Sequence, residues 1–539
     1  MTMNQTRTAD APAMGTACPP SPSPAGGPAV RSAGRGRGEL LTLAAMCLGA
    51  MMTFVLITGA AAALSEIQTD LRVAPSVLVW IPSAYTLAVA SLVLTAGTLG
   101  NRFGRKRVLC TGVVIMIVGG LLAASAGSTG ALIAGQLVSG VGGALILPNS
   151  LAVLGATFSD PHRRTEVVTA WAAASGIGLA VGPLIAGVLL AHAGWHAVFL
   201  TDVVLGVVTL LVTVPFVAES RAPGGRIDAI GALLGTVTIA GLVYALIQGG
   251  HDGYGSTHVV VAWAVAAVGA VAFVAAELRV PTPMLDLRLF ASRSFSAVMV
   301  VAAVSLFGFT GVAILLVLFY EQVQHLSALA MAWRVLVLFG VYVVVAFGAG
   351  RVIRRTGFKA PLALGLLLGG LASLGLLTVD PGTSYARVWP LLALFGAACG
   401  LVAAPSTAAA LVSVAPEQAG MASGAVNTAR QVGSVMGAAL LGSLLTGRLT
   451  AELPHQLAAH GVPSAARGPV AAGVAAGHAG AAPLPHGARA AIADAFTAGM
   501  HAGLVVNAVV FLGAAVLALT AVRNRPHQQD RPSSAQSPG

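Results

Sequence analysis

Two carboxyl groups, Asp202 and Glu321, stand closest to long apolar stretches in a chain of 539 residues. A carboxyl in such surroundings resists ionisation, so it can take up a proton on one side of a low-dielectric barrier and release it on the other. Asp202 falls a few residues into one stretch and Glu321 just past another, so an interfacial carboxylate in contact with water is the competing reading. Glu66 and Asp70 read as surface acids. Arg430 sits about ten residues into a further stretch, where a guanidinium must be paired or hydrated. Gln431, Asn427, Gln136 and Asn149 are the polar side chains available to partner it or to line a cavity. Other chemistry is missing. The histidines at 455, 460, 478 and 486 are irregularly spaced in an Ala/Gly/Pro-rich stretch and read as part of a solvated linker, not as a metal site. No Walker loop, metal-spaced His/Cys set or nucleophile–base pair is present. Catalytic residues, resident metals and cofactors are therefore expected to be none, and ATP-driven pumping has no motif.

The elements that must position these groups follow from composition. Hydrophobic residues make up 56% of the chain and charged ones only 9%, against about 25% charged in a soluble domain. A soluble enzyme, a disordered chain and a disulfide scaffold are excluded together. Polar breaks leave fourteen apolar segments of helical length, from 41–63 to 500–522. None alternates as a barrel strand does, so the backbone is expected to satisfy itself within helices. With a cytoplasmic N-terminus, twenty-two of the twenty-nine bases fall on the cytoplasmic side and five outside, while Arg334 and Arg430 lie within spans. That bias places both termini in the cytoplasm of a multi-pass inner-membrane protein. It also accounts for the net charge of +11 without any nucleic-acid partner. Arg334, near the outer end of its span, is expected to snorkel. The cysteines at 18, 47, 110 and 399 read as tail or packing thiols.

An internal repeat organises the spans. The turn Gly97-Thr-Leu-Gly-Asn101-Arg102-Phe-Gly104-Arg105-Lys106 is matched by Gly350-Arg-Val-Ile-Arg354-Arg355-Thr-Gly357-Phe-Lys359, 253 residues later. Both have a second Gly seven positions on, an Arg two before it and a Lys two after it. Two halves around a central substrate path fit such a repeat. Residues 41–217 and 294–522 then form two six-helix bundles. Residues 218–293 supply two linker helices with their connections, 447–499 a long outward loop, and 1–40 and 523–539 cytoplasmic tails, the first of them disordered. In the fifth span, Gly178, Gly182 and Gly187 leave a smooth face on which another helix can slide, and Pro183 is expected to bend the span.

At this point the chain resembles the major facilitator superfamily, and within it the fourteen-span drug:proton antiporters. The turn from Gly97 to Arg107 looks like the superfamily's loop between spans two and three. Gly178-Leu-Ala-Val-Gly182-Pro183-Leu-Ile-Ala-Gly187 resembles its antiporter motif. Trp195, Phe199 and Leu200 match the turn that follows. Leu285-Asp286-Leu-Arg288-Leu-Phe290 resembles the approach to span nine, and Pro416 to Gly433, with Asn427 and Arg430, looks like span thirteen. The resemblance covers about residues 41–522. It implies an all-α integral membrane fold and multidrug or antibiotic efflux of small amphipathic or hydrophobic compounds, including self-made metabolites. It also implies alternating access with a proton gradient as energy source, and structural or gating roles for Arg430 and Asn427.

Three positions depart from the family. Leu56 stands where the first span usually has Asp, Gln136 where the fourth usually has Arg, and Asn101 where the loop usually has Asp; Ala61 also replaces an Asn. These neutral positions keep open a coupling-deficient facilitator of the same fold. A non-transporting membrane subunit or sensor is the alternative of another class, disfavoured by the lack of a sizeable soluble domain. Substrate identity, stoichiometry and oligomeric state have no signal in the sequence.

Overall fold

The computed structural model describes residues 32–72, 75–78, 80–221, 228–280, 285–414, 419–475 and 484–523. Fourteen helices among them are long and apolar enough to cross a membrane. In chain order they are α1 (Ser32–Ala62), α2 (Trp80–Phe103), α3 (Arg105–Ala124), α4 (Thr129–Thr157), α5 (Pro161–His192), α6 (Trp195–Phe216), α7 (Ala229–Asp252) and α8 (Thr257–Glu277). They continue with α9 (Arg293–Leu318), α10 (Ala328–Thr356), α11 (Lys359–Gly375), α12 (Tyr385–Val412), α13 (Ala419–Ala459) and α14 (Ala488–Ala521). Side-chain caps start several of them and satisfy backbone donors that would otherwise be orphaned. Ser128 Oγ accepts from Ala131 N, Asp160 from Arg163 N and Ser327 from Ala330 N. Asp228 caps α7 through Gly231 N at 2.8 Å.

The two halves pack alike. In the first, α1 lies on α5, α4 and α6, α4 lies on α2 and α3, and α3 lies on α6. In the second, α9 lies on α13, α12 and α14, α12 lies on α10 and α11, and α11 lies on α14. Adding eight to each label of the first half gives the second, so the sequence repeat is a repeat of architecture. The matched glycines behave alike too: Gly104 has φ 106° and Gly357 φ 73°, a conformation that L side chains adopt rarely. Between the bundles run two seams, α5 on α10 and α2 on α13.

The linker hairpin treats the seams unequally. α7 packs on both α2 and α13, burying Ile239, Val243 and Leu246 against Ala90 and Val435. Its polar anchors are to α2: Trp80 Nε1 donates to Gln248 Oε1 at 2.9 Å, and the Trp80 and Tyr244 rings are 5.4 Å apart. α8 lies on α7 with Val268 and Val271 about 70% exposed, as a lipid-facing helix requires.

By the alternation of the spans, the basic connections (Arg102 to Arg107, Arg163, Arg164, Arg351 to Lys359) share one end of the molecule, called here the basic end. At the far end the structure corrects one expectation. Residues 447–499 do not read as a solvated linker, because α13 continues to Ala459, a helix spans Ser464–Ala475, and α14 begins at Ala488. Leu453, Leu457, Val462, Val470, Ala488 and Ala491 form their own hydrophobic cluster there. His460 Nε2 lies 2.7 Å from Asp494 Oδ2, and among the described residues no group of three or more metal-binding side chains exists; His478 lies outside them. The 1–40 tail is described only from Ser32, where α1 starts. Cys47, Cys110 and Cys399 are free thiols.

Candidate functional site

The turn between α2 and α3 is held by a residue that motif reading passed over. Glu219, just after α6, accepts from the backbone of Lys106 at 3.0 Å and of Arg107 at 3.2 Å. Its carboxylate thus covers the N-terminus of α3, where negative charge complements the helix dipole. A Cβ on Gly104 would meet that carboxyl carbon at 2.6 Å, so glycine is required by space as well as by φ. Lys106 Nζ donates to Val214 O at 2.8 Å, tying the turn to the end of α6. Asn101 Oδ1 accepts from Arg105 Nη2 at 3.1 Å, and Arg105 Nη1 donates to Ala152 O at 3.0 Å, which fixes the turn to α4. Arg102 stacks over Phe103 at 5.7 Å. Asn101 therefore orients Arg105, and the carboxylate of this turn comes from the α6–α7 connection. Glu219→Ala should cost about 0.5–2 kcal/mol, the range for a lost helix cap. The check is a lower thermal midpoint of the purified protein, with Glu219→Gln falling less.

The glycines of α5 face α1. A Cβ on Gly178 would lie 2.5 Å from Met51 O and one on Gly182 2.8 Å from Val55 O. Gly97 is buried within α2, toward its basic end. Gly187 is at the α5–α10 seam, its added Cβ 3.3 Å from Leu329 Cα, and α5 runs unbroken through Pro183. The second half carries a counterpart not singled out from the sequence. Gly433 and Gly437 on α13 press on the carbonyl oxygens of Ala303 and Phe307 on α9, closer than any Cβ would tolerate. Gly178 to Gly433 and Gly182 to Gly437 are both 255 residues apart, so the spacing was present in the chain.

The polar candidates separate into distinct environments. Gln136 Nε2 donates to Ile81 O at 3.2 Å, and Asn149 Nδ2 donates to Ala96 O at 3.0 Å. Both are fully buried ties from α4 to α2. Asp202 on α6 is 1% exposed, faces Gly120 on α3, and has no hydrogen-bond partner for either carboxyl oxygen among the described residues. Glu321 is half-buried in a π-helical turn, Phe319–Val323, at the far end of α9. Arg334 is half-buried: its guanidinium lies over the rings of Tyr320 at 5.4 Å and Tyr385 at 5.5 Å and donates to Gln324 Oε1. Arg430 on α13 is 8% exposed and donates from Nη2 to Ala403 O and to Ser406 Oγ, the latter at 3.1 Å, on either side of Pro405 within α12. Asn427 donates back to Ser423 O of its own helix, and Gln431 is buried one position beyond Arg430. The structure thus brings Arg430, Asn427 and Gln431 together on α13 and leaves Asp202, Glu321 and the α4 amides elsewhere.

The boundary between the bundles is closed along most of α5 and α10. Gly187 meets Leu329 at the far end, Gly176 meets the ring of Tyr342 midway, and Thr169 meets Gly350 near the basic end. There Arg354 Nη1 and Glu166 Oε1 are 2.8 Å apart and bridge the halves. Next to this bridge a cleft of about 190 Å³ opens between the halves. It is lined by Arg164, Thr165 and Val168 of α5 and by Ala408, Leu411 and Val412 of α12. A larger hollow near Glu66, Asp70 and Trp195 belongs to the first half alone.

Two structurally repeated six-helix bundles, joined by a linker hairpin and enclosing buried polar groups at their boundary, define a membrane transporter and not an enzyme. The Major Facilitator Superfamily profile matches residues 46–438, and the chain belongs to that superfamily. It is 32% identical over 421 residues to the multidrug resistance protein Stp of Mycobacterium tuberculosis, covering 78% of each chain. It is 31% identical over 501 residues to the tetracenomycin C resistance and export protein of Streptomyces glaucescens, covering 90% of this chain and 92% of that protein. The multidrug efflux pump LfrA of Mycolicibacterium smegmatis is 29% identical over 484 residues, covering 89% and 94%. The crystal structure of the human organic anion transporter MFSD10 (TETRAN) superposes with a TM-score of 0.62 over 89% of this chain and 99% of that one, at 15% identity, a likeness of fold.

Proposed function

We propose that this transporter exports small amphipathic or hydrophobic compounds (drugs, antibiotics or a metabolite made by the cell itself) across the cytoplasmic membrane by alternating access with proton antiport. The basic end is then cytoplasmic, as are both termini. The observation that carries the coupling is Asp202, fully buried with neither carboxyl oxygen hydrogen-bonded among the described residues. An ionised carboxylate there would be an uncompensated charge in a dry helix bundle, so the resting group carries a proton. Separation of α6 from α3 hydrates the group and releases it. The glycine faces of α5 and α13 support rocking of one helix on another, and the named efflux relatives support the direction and the substrate class.

In everted vesicles holding a pH gradient, a transported compound should collapse the gradient. Asp202→Asn should abolish that collapse at equal protein level, with Glu321→Gln retaining most of it. Collapse that persists in Asp202→Asn would remove this residue from the mechanism. One observation favours a coupling-deficient facilitator: Leu56 is 2% exposed and seals the first span with an aliphatic side chain where the family usually has Asp. Equilibration of substrate at the same rate with and without a gradient would select that reading.

A further inference from the structure

At mid-depth in the second half, α10 carries Tyr342 midway along its length, and α13 carries Arg430 about 16 Å from its start at 1.5 Å per residue. Both lie against one stretch of α12: the carbonyl of Tyr342 packs on Gly400, and Arg430 reaches Ala403 O and Ser406 Oγ one to two turns further on. Phe309 and Phe339 pack against each other with centroids 5.4 Å apart, and Phe309 sits 5.1 Å from Tyr342, so the tyrosine ring is held in an aromatic cluster. The Tyr342 ring also meets Gly176 of α5, which puts the tyrosine on the boundary between the halves.

The hydrogen-bonding capacity of this pair is only partly used. Arg430 spends Nη2 on Ala403 O and Ser406 Oγ. Its Nε and Nη1, and the hydroxyl of Tyr342, have no hydrogen bond among the described residues, and none of these atoms is among the sealed, unpartnered ones. With Arg430 8% and Tyr342 5% exposed, these atoms are free to take a partner that reaches them. Among the described residues no acid offsets the charge from within this half: Asp202 faces α3 in the first half, and every other Asp or Glu lies at a span end, in a connection or in the far-end helices. A guanidinium held at this depth without a counter-ion is expensive. A bound anion offsets that expense, whereas a bound cation adds like-charge repulsion, so the site discriminates by the sign of the ligand's charge.

We propose that the path at the boundary selects amphiphiles bearing an anionic or strongly hydrogen-bond-accepting group on an apolar body, and disfavours lipophilic cations. Arg430 receives the acidic group and Tyr342 is its second donor. This deepens the export reading and rests on it, since the pair is taken to line the substrate path.

Two ions of matched shape and opposite charge test it, tetraphenylborate and tetraphenylphosphonium. Binding of each to the purified full-length protein in nanodiscs is measured against empty nanodiscs. Tetraphenylborate carries no hydrogen-bond acceptor, so the pair reads the sign of the charge alone, and attraction to the guanidinium should make it bind at least about ten-fold more tightly. Arg430→Gln should erase that preference, and Arg430→Lys should keep most of it. Should Arg430→Gln not fold, the unmodified protein decides alone, because equal binding of the two ions, or tighter binding of the cation, overturns the proposal. A preference that survives in folded Arg430→Gln overturns it as well. Binding is read without transport, so an anion preference that depends on Arg430 stands even if vesicles show no export, and that second result would strike only the export reading.

Discussion

Gly437→Ala is expected to reduce export to the background of cells without the transporter. A Cβ built on the glycine would lie 2.0 Å from the carbonyl oxygen of Phe307, an atom of the α9 backbone, which has no rotamer to adopt. The two helices can only move apart. That separation would also loosen Gly433 on Ala303 O and the 2.8 Å hydrogen bond between Thr310 and Ser434, which lie on the same contact. Overpacking of a well-fitted core costs about 1–3 kcal/mol. Under the proposed alternating access the functional effect is larger than that figure suggests, because a face on which helices rock must be smooth in every state. Gly182→Ala meets Val55 O and Thr58 on α1 and should behave the same way. The control is on the same helix: Gly442 has nothing within 4 Å of an added Cβ, so Gly442→Ala should leave export intact. Its gain in helix propensity is about 1 kcal/mol. Drug accumulation in intact cells, normalised to protein in the membrane, reads all three variants.

Asp202→Leu should make the protein more stable while ending coupled export. A buried carboxyl without partners costs about 1–3 kcal/mol in lost hydrogen bonds to water. Leucine removes that cost and places apolar atoms beside Gly120, which the Asp202 side chain faces. The thermal midpoint of the purified variant should therefore rise, and its substrate-driven proton movement should vanish. A purely structural Asp would give the opposite sign in the first measurement. Asp202→Asn separates the two effects, since it keeps the shape and the polarity and loses only the proton.

The lipid requirement made the helices readable, because a span must be apolar over some twenty residues and the bases between spans mark sides. The repeat was readable where it involved paired turns, at Gly104 and Gly357, and was equally present but unread at Gly433 and Gly437. Glycine face pairs carry no charge or turn chemistry to draw attention to them. Glu219 was invisible because its partners, Lys106 and Arg107, are more than a hundred residues away and the contact is to their backbone. Gln136 and Asn149 looked like cavity groups, but a primary amide buried between helices serves equally well as a tie to a carbonyl, and that is what α2 offers them. Tyr342 was overlooked since a tyrosine within an apolar run reads as core until its neighbour Arg430 is known. The far-end helices were hidden by composition: Ala and Gly without strong periodicity resemble a linker, and only the meeting of three segments gives Leu453 and Leu457 something to bury against.

α13 holds 41 residues, about 60 Å of continuous helix at 1.5 Å per residue, twice the thickness of the hydrocarbon layer. One stretch of it presses on α9 and contributes Arg430, while its last turns form one wall of the far-end cluster. Such a rod is a pointer. If it swings by about 10°, its tip travels roughly 10 Å, a displacement that follows from length alone. Labels on the Ser464–Ala475 helix would therefore report the state of the boundary from well away from the substrate path. Under the proposed alternating access, a binder that clamps that helix to its surroundings would arrest export.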